Sequence, residues 1–464
     1  MTSSEGAGIA DLAPLSRARE QRAWYFYDWA NSAFATTVLG VLFAPYLITI
    51  AEQAACGFVT DKDKGLDCDG TIVLLGLHIA PGSLPSYVIT FSTILGAVVY
   101  PVIGAMADRT ARKADLMAGF AFVGALATAL LYFLAGDNWL FGSVAFTVAN
   151  LCFGASIVVN NAMLNLIAEP DDRDRVSSVG WAYGYAGGGL LLVANFLAVT
   201  FHDSLGISTA MAVRLSMLSA ALWWAAFTVI PWRGIKDRPP LGVEREEGGL
   251  LARSFGQLLL TLRDLRNYPV ALLFLVAYLF FNDGIQTVVS SAAVFGEKEL
   301  GFDTGVVLGA YLLVQFVAVA GALVFGRAAA RYGAKRAILV GLVVWMVIVT
   351  VAIGVPRENL PAFLLLATAI GIVLGGTQAL ARSYFSQFVP RGKEAEYYSL
   401  FAAVDRGTSW LGTLTFGVVF QVTDSYRPAI FALIVFFLVG GLLFLRVDTE
   451  RGIREAGNEP PPVI

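Results

Sequence analysis

The sequence predicts an all-α membrane protein of twelve transmembrane helices, and three observations carry that reading. The 464 residues are 57% apolar and only 14% charged, where soluble domains carry charge on about a quarter of their residues. Apolar runs of about 20 residues, long enough to cross a bilayer, recur along the whole chain. The connections between them alternate in charge: with the amino terminus taken as cytoplasmic, 25 Lys and Arg fall in inner segments and 6 in outer ones, and Arg406 lies inside a span. Basic residues collect on the cytoplasmic side, so both termini are expected there. "Inner" and "outer" are used below in that sense. The net charge of −3 points to no partner, and nucleic-acid binding has no support.

The spans are expected at 23–50, 85–107, 116–135, 140–163, 176–201, 209–231, 269–293, 304–326, 337–355, 361–380, 397–422 and 428–446. The first follows about twenty polar residues, is far longer than a signal-peptide core and has no small-residue cleavage site, so it reads as an uncleaved span. The outer connection 51–84 carries Asp61, Asp63, Asp67 and Asp69 without EF-hand spacing, which suits solvated surface rather than calcium. Cys56 and Cys68 share that loop. They form a bridge if it faces an oxidising side and are two free thiols otherwise. Cys152, in an apolar run, reads as a packing residue, and no CxxC pair offers a metal site. His78 and His202 both fall in outer loops.

The longest inner connection changes composition at Arg233, Lys236, Arg238, Pro239 and Pro240. Its second part, Leu250 to Tyr268, has apolar residues at helical spacing with Arg253, Arg263 and Arg266 opposite, as in a helix lying on the inner surface. The expected domains are therefore a six-helix bundle over 1–231, a cytoplasmic linker over 232–268, and a second six-helix bundle with a short cytoplasmic tail over 269–464.

Within this apolar chain a few polar groups stand out. Asp28 and Asn31 lie in the first span, where an acid at mid-membrane costs roughly 2.5 to 3.5 kcal/mol and so faces protein or a watery cavity. Span seven holds Phe281-Asn282-Asp283 and then Gln286-Thr287, which repeats the order of Phe26-Tyr27-Asp28 and Asn31-Ser32. A match between equivalent helices of two halves is the signature of a transporter repeat. Burial favours the neutral form of a carboxyl and a nearby arginine favours the charged one, so Asp28 and Asp283 are candidates to bind solute or carry a proton. For Asp28 a second reading stays open, an acid near a helix start favoured by the dipole. Arg406, beside Asp405 in span eleven, is a counter-charge for one of these acids, a static ion-pair partner, or a ligand for a solute carboxylate. Asn160, Asn161 and Asn165 at the inner end of span four read as inner-gate hydrogen bonds and helix-end groups. In span five, Tyr183 and Tyr185 are candidate cavity residues, and Gly187-Gly188-Gly189 permits close packing or bending.

After span two comes Gly104, then Asp108-Arg109 and Arg112-Lys113. This resembles the inner-loop signature of the major facilitator superfamily, G-x-x-x-D-R-x-x-R-K, in which the glycine allows close helix approach and the charges latch the inner gate. After span eight, Gly326, Arg331, Lys335 and Arg336 keep the glycine and the bases, but Ala330 stands where the acid belongs, which predicts a weaker second latch. The run Tyr27-Asp28-Trp29-Ala30-Asn31-Ser32-Ala33-Phe34, together with Asp283-Gly284, Gln378 to Arg382-Ser383, and Val389-Pro390 to Glu394 and Glu396, resembles the branch that holds the vacuolar amino-acid effluxers linked to autophagy and their bacterial relatives. The chain departs from that branch at Tyr397-Tyr398-Ser399, where Phe-Phe-Gly is expected, at Asp405, where a neutral residue is usual, and at Thr413, where proline is.

The resemblance implies the major facilitator fold of two pseudo-symmetric bundles, and export of a small amino acid-like solute by alternating access with proton coupling. The polar groups within the spans make Asp28, Asn31, Asp283, Gln286, Asp405, Arg406, Tyr183 and Tyr185 the expected substrate or coupling residues. The inner gate would be Gly104, Asp108, Arg109, Arg112, Lys113, Arg331 and Arg382. No cofactor, metal or catalytic residue is expected, since no His-based metal pair or phosphate loop is present. The expected partners are a small-molecule substrate, protons and membrane lipids, for a monomer in a bacterial plasma membrane. An uncoupled facilitator and a non-transporting receptor or scaffold of the same fold are the alternatives.

Overall fold

The computed structural model describes residues 14–458 apart from 60–65, 75, 169–172, 239–264, 391–396, 398–399, 402–403 and 406–409. Among the described residues, eleven helices are long and apolar enough to cross a membrane, and Leu411–Thr423 is a shorter apolar helix. That helix is the outer part of the span expected at 397–422. The predicted surface helix at Leu250 to Tyr268 lies largely outside the described residues, whose nearest stretch is a 3-10 turn at Leu265–Asn267.

The first span is the longest, running over Ser16–Cys56, where the apolar run alone suggests 23–50. It consists of α1 (Pro14–Ala33), a π-helical stretch (Phe34–Leu42) and α2 (Phe43–Cys56). Its polar beginning stays helical because the inner end of the fold supplies partners. Arg238 binds Glu20 at 2.7 Å, and Gln21 Nε2 donates to the Ile167 carbonyl at 2.9 Å. α2 stops at Gly57, whose φ of +76° suits a residue without Cβ.

The outer loop holds a two-stranded hairpin that the sequence did not suggest, β1 (Ile72–Leu74) against β2 (Leu77–Ile79). Cys56 and Cys68 are joined by a disulfide with their Cα atoms 5.8 Å apart, which decides between the two readings left open above. The remaining first-set helices are α3 (Leu84–Arg109), α4 (Lys113–Leu130), α5 (Trp139–Ile167), α6 (Arg173–Thr200) and α7 (Thr209–Gly234). The short α4–α5 turn is held by Asn138, which accepts from Ala135 N at 3.0 Å and donates to the Phe133 carbonyl at 2.9 Å.

The second set comprises α8 (Pro269–Val294, continued by a π turn at Phe295–Glu299), α9 (Thr304–Tyr332), α10 (Ala334–Ile353), α11 (Leu360–Ser386), α12 (Leu411–Thr423), α13 (Tyr426–Ala432), α14 (Ile434–Leu445) and α15 (Thr449–Glu455). In lipid, helices gain little by hiding apolar surface from one another, so small residues that let backbones touch matter more. α9 and α11 show this most strongly. A Cβ at Gly375 would lie 1.9 Å from the Ala318 carbonyl oxygen, and one at Gly321 2.2 Å from that of Ile372. α15 closes the inner end of the second set, with Ile453 buried and Tyr384 Oη hydrogen-bonded to Thr449 Oγ1 at 2.7 Å.

The two sets meet where α6 packs on α9, α3 on α12, and the π-helical stretch of the first span on α8. Thr37 on that stretch is fully buried and accepts from Asn195 Nδ2 at 3.1 Å, while Asn195 Oδ1 accepts from Ser219 at 2.9 Å. π-helical turns are costly and concentrate at functional places. Here one lies at a contact between the sets.

Candidate functional site

Asp283 lies near the middle of α8 and is 1% exposed. Its Oδ2 accepts from the Gly412 amide at 2.9 Å, so it caps α12 at the end where unpaired amides and the helix dipole favour an anion. Its Oδ1 has no hydrogen-bond partner among the described residues, and the same is true of Asn282 Oδ1 and Thr287 Oγ1. Gly412 makes this cap possible. A Cβ there would sit 2.4 Å from Thr287 Oγ1 and 3.1 Å from Asp283 Oδ1. Beside it, Asp405 accepts from Tyr278 Oη, and Asn282 Nδ2 lies 3.2 Å from both its carbonyl and its Oδ1. The Tyr278 ring stacks on Phe401 at 4.6 Å. Two acids, an amide and two hydroxyls thus converge on α8 and the start of α12. Arg406, the proposed counter-charge, lies outside the described residues.

Asp28 sits in a different environment. Glycines on α6 make room for it, since a Cβ at Gly180 would lie 2.6 Å from Asp28 Oδ2 and one at Gly184 3.5 Å from Asp28 Cβ. Its surroundings are therefore the α1–α6 contact of the first set, and Asp28 and Asp283 are not brought together. Depth separates them as well. Lys298 and Glu52 form an ion pair and so mark one level. Asp283 stands 15 residues before Lys298 and Asp28 stands 24 before Glu52. At about 1.5 Å per residue, Asp28 is roughly 13 Å nearer the inner end.

The other expected site residues divide by surroundings. Asn31 is buried with no partner for Nδ2, and half-buried Gln286 makes no hydrogen bond among the described residues. Tyr183 packs in an aromatic group, its ring 5.4 Å from Tyr25 and 5.5 Å from Phe26. Tyr185 stands near Trp181, at 5.9 Å. Of the span-five glycines, Gly187 meets Trp29 and Gly188 meets Ser32 and Thr36, whereas Gly189 faces open space. Asn160 uses its backbone carbonyl, which accepts from Trp24 Nε1 at 2.9 Å, while its buried side chain has no partner.

At the inner loop, Lys113 Nζ donates back to the Ala107 carbonyl and so caps the end of α3. Arg112 is 73% exposed and pairs with Asp115. Asp108 and Arg109 belong to the last turn of α3, and their side chains are outside the described residues. A Cβ at Gly104 would meet only Val158, at 3.7 Å, so the close approach expected of that glycine is not used in this conformation. Arg331 is exposed and lies over the neighbouring Tyr332 ring, and half-buried Arg382 makes no ion pair among the described residues. One contact that sequence reasoning missed is Glu20–Arg238, with Arg238 N also donating to the Ala111 carbonyl at 3.2 Å. Opposite charges just outside spans one and six were the available signal.

Residues 16–457 match the profile of the vacuole effluxer Atg22-like proteins. The chain belongs to the Atg22-like family. A Bacillus subtilis (strain 168) member, the uncharacterized MFS-type transporter YxiO, is 26% identical over 447 residues, covering 96% of this chain and 98% of that one. Autophagy-related protein 22 of Yarrowia lipolytica is 28% identical, covering 83% and 79%. Solved structures share the fold of this Atg22-like chain. The D-xylose-proton symporter superposes with a TM-score of 0.66 at 11% identity over 93% of this chain and 97% of that one. An inward-facing bacterial homolog of the human lysosomal transporter Spinster gives 0.58 at 12% identity over 97% and 100%. The chain is a multi-pass membrane transporter of the major facilitator superfamily, built to move a small molecule.

Proposed function

We propose that this Atg22-like chain is a secondary transporter that exports a small, amino acid-like solute by alternating access, coupled to protons, from the plasma membrane of a bacterium. The single observation that carries the reading is Asp283, an acid 1% exposed at mid-span with one oxygen engaged and the other without a partner among the described residues. A charge left unpaired in a dry setting is costly, so the free oxygen is the place for a proton or for the amino group of a solute. Asn282, Thr287, Asp405 and Tyr278 extend that acceptor surface, and Gln286 lies one turn along the same helix. Asp28 and Asn31, roughly 13 Å deeper by helix rise, line its inner approach, with Tyr183 and Tyr185 in the same wall. Arg406 would supply the counter-charge, and Lys113 with its loop the inner gate. The family name and the name of YxiO support transport and efflux; the monomeric state and lipid contacts are part of the proposal.

The test is flux of radiolabelled amino acids in proteoliposomes under an imposed pH gradient, after a thermal-shift screen of amino acids, peptides and sugars has found a binder. Gradient-driven movement lost in Asp283→Asn, with downhill exchange retained, supports coupling at this acid. Gradient-driven movement retained in that variant removes it.

A further inference from the structure

Polar contacts between the two helix sets gather at one end of the described residues. Among the described residues, every hydrogen bond or ion pair that joins them lies in the outer half of the spans. Lys298 Nζ meets Glu52 Oε2 at 3.1 Å and Oε1 at 3.4 Å. Gln421 Oε1 accepts from Ser83 Oγ at 2.7 Å and Ala80 N at 3.1 Å. Tyr426 Oη donates to the Gly82 carbonyl at 3.3 Å, and Thr90 and Thr413 share a hydrogen bond at 2.9 Å nearer mid-span. Only the first of these contacts is ionic. Its side chains are 9% and 19% exposed, so salt screens it little, and removing one partner while the other stays buried is costly.

Both partners are braced from behind. Glu52 stands one turn before Cys56, whose disulfide partner Cys68 places Sγ 4.0 Å from the Glu52 carbonyl. Gly70 packs so tightly on this clip that a Cβ would lie 2.7 Å from Cys56 Sγ. Lys298 is followed by Glu299, which binds Arg427 Nε at 2.9 Å and accepts from Tyr426 N at 3.0 Å. Arg427 in turn donates to the Ile353 carbonyl. The acid is thus anchored to the outer loop of the first set, and the base to α13 and the end of α10 in the second.

We infer that Glu52 and Lys298 form the latch of the outer gate, and that the Cys56–Cys68 clip holds the acid of that latch within reach of its base. The inference rests on the alternating-access reading, because a latch is needed only if the outer ends separate. When they do, this pair and the four neutral hydrogen bonds must all break. Loss of the pair therefore shifts the resting population toward the outer-open state. The Cα–Cα linkage through the disulfide limits how far the last turn of α2 can fray, so its loss weakens the latch without removing either charge.

The experiment is a distance measurement by pulsed electron resonance on the full chain in nanodiscs. Spin labels go on Asp137→Cys and Arg357→Cys, exposed positions in outer turns of the two sets, in a Cys152→Ser background. The unmodified latch should give mainly one short distance. Glu52→Gln and Lys298→Met should each raise the longer-distance population by roughly threefold to tenfold, the range an ion pair of this kind supports. The reversed pair, Glu52→Lys with Lys298→Glu, should restore the short distance, and Cys56→Ser with Cys68→Ser should give a smaller shift than either single latch variant. The inference is overturned if both single variants keep the original distribution or if the reversed pair behaves like the singles. A shift in distance with no solute flux keeps the latch and removes the transport reading, so the two fail separately.

Discussion

Asp28 and Asp283 occupy matching places in a short repeated pattern, yet the fold uses them differently. Asp283 engages a helix start across a helix–helix contact, through Gly412 N at 2.9 Å. Asp28 is fitted against glycines of a neighbouring helix, Gly180 and Gly184, and lies nearer the inner end. The difference teaches that a costly acid in a span marks polar surroundings without saying which. An acid with one oxygen tied to backbone and one unengaged can still take a proton or a ligand, whereas one set among packed side chains answers first to its neighbours.

Substitutions that disturb the two environments should separate them, and the largest effect belongs to Gly412→Ala. Its Cβ would meet Thr287 Oγ1 at 2.4 Å and the backbone oxygen of Asp283 at 3.1 Å, and backbone cannot swing aside. A loss of about 3 kcal/mol, the upper end for overpacking, is expected, read as a lowered thermal midpoint in detergent. The matching change at the other acid, Gly180→Ala, meets the movable Asp28 carboxylate at 2.6 Å and the Trp24 ring at 2.7 Å. It should cost about half as much, and an equal or greater loss there would undo the contrast.

Tyr278→Phe comes next. It removes the hydroxyl that donates to Asp405 and leaves a carboxylate oxygen less satisfied, at a cost of about 1 to 3 kcal/mol in thermal unfolding. Thr287→Val sharpens the site from the other side. The hydroxyl is buried with no partner among the described residues, so stability should be unchanged or raised, while solute affinity in the thermal-shift assay should fall. Smallest of all should be Tyr183→Phe, since the ring packing on Tyr25 and Phe26 survives the change. Flux and midpoint should both stay close to wild type, because the wall keeps its ring, and a large loss of flux would give the Tyr183 hydroxyl itself a part in handling the solute.

Much of this was legible in the sequence, because the signals were properties of long stretches. Apolar runs placed the spans, and Asp28 and Asp283 stood out against the cost of burying charge. Gly187-Gly188-Gly189 pointed to close packing or bending, and the first two do pack on span one. The remainder depends on which faces meet, and a one-dimensional pattern holds no record of that. Gly180 and Gly184 looked like ordinary small residues until α1 was set against them. The extension of the first span back to Ser16 required Arg238 and the Ile167 carbonyl, more than a hundred residues away. Glu52 and Lys298 sit at corresponding outer ends of spans one and seven with opposite signs. Counting charge by loop merged Lys298 into a total and discarded the pairing. The twinned motif was misleading in one respect: the same order of residues starts at different depths, because the first span is longer on its outer side.

The central claim is that Asp283, and not Asp28, carries the coupling. The most direct measurement is gradient-driven solute flux in proteoliposomes for Asp283→Asn beside Asp28→Asn, each normalised to reconstituted protein. Asp283→Asn should abolish that flux, because an amide cannot take and release the proton, while Asp28→Asn keeps most of it. The reverse order, or full flux in both variants, would contradict the account.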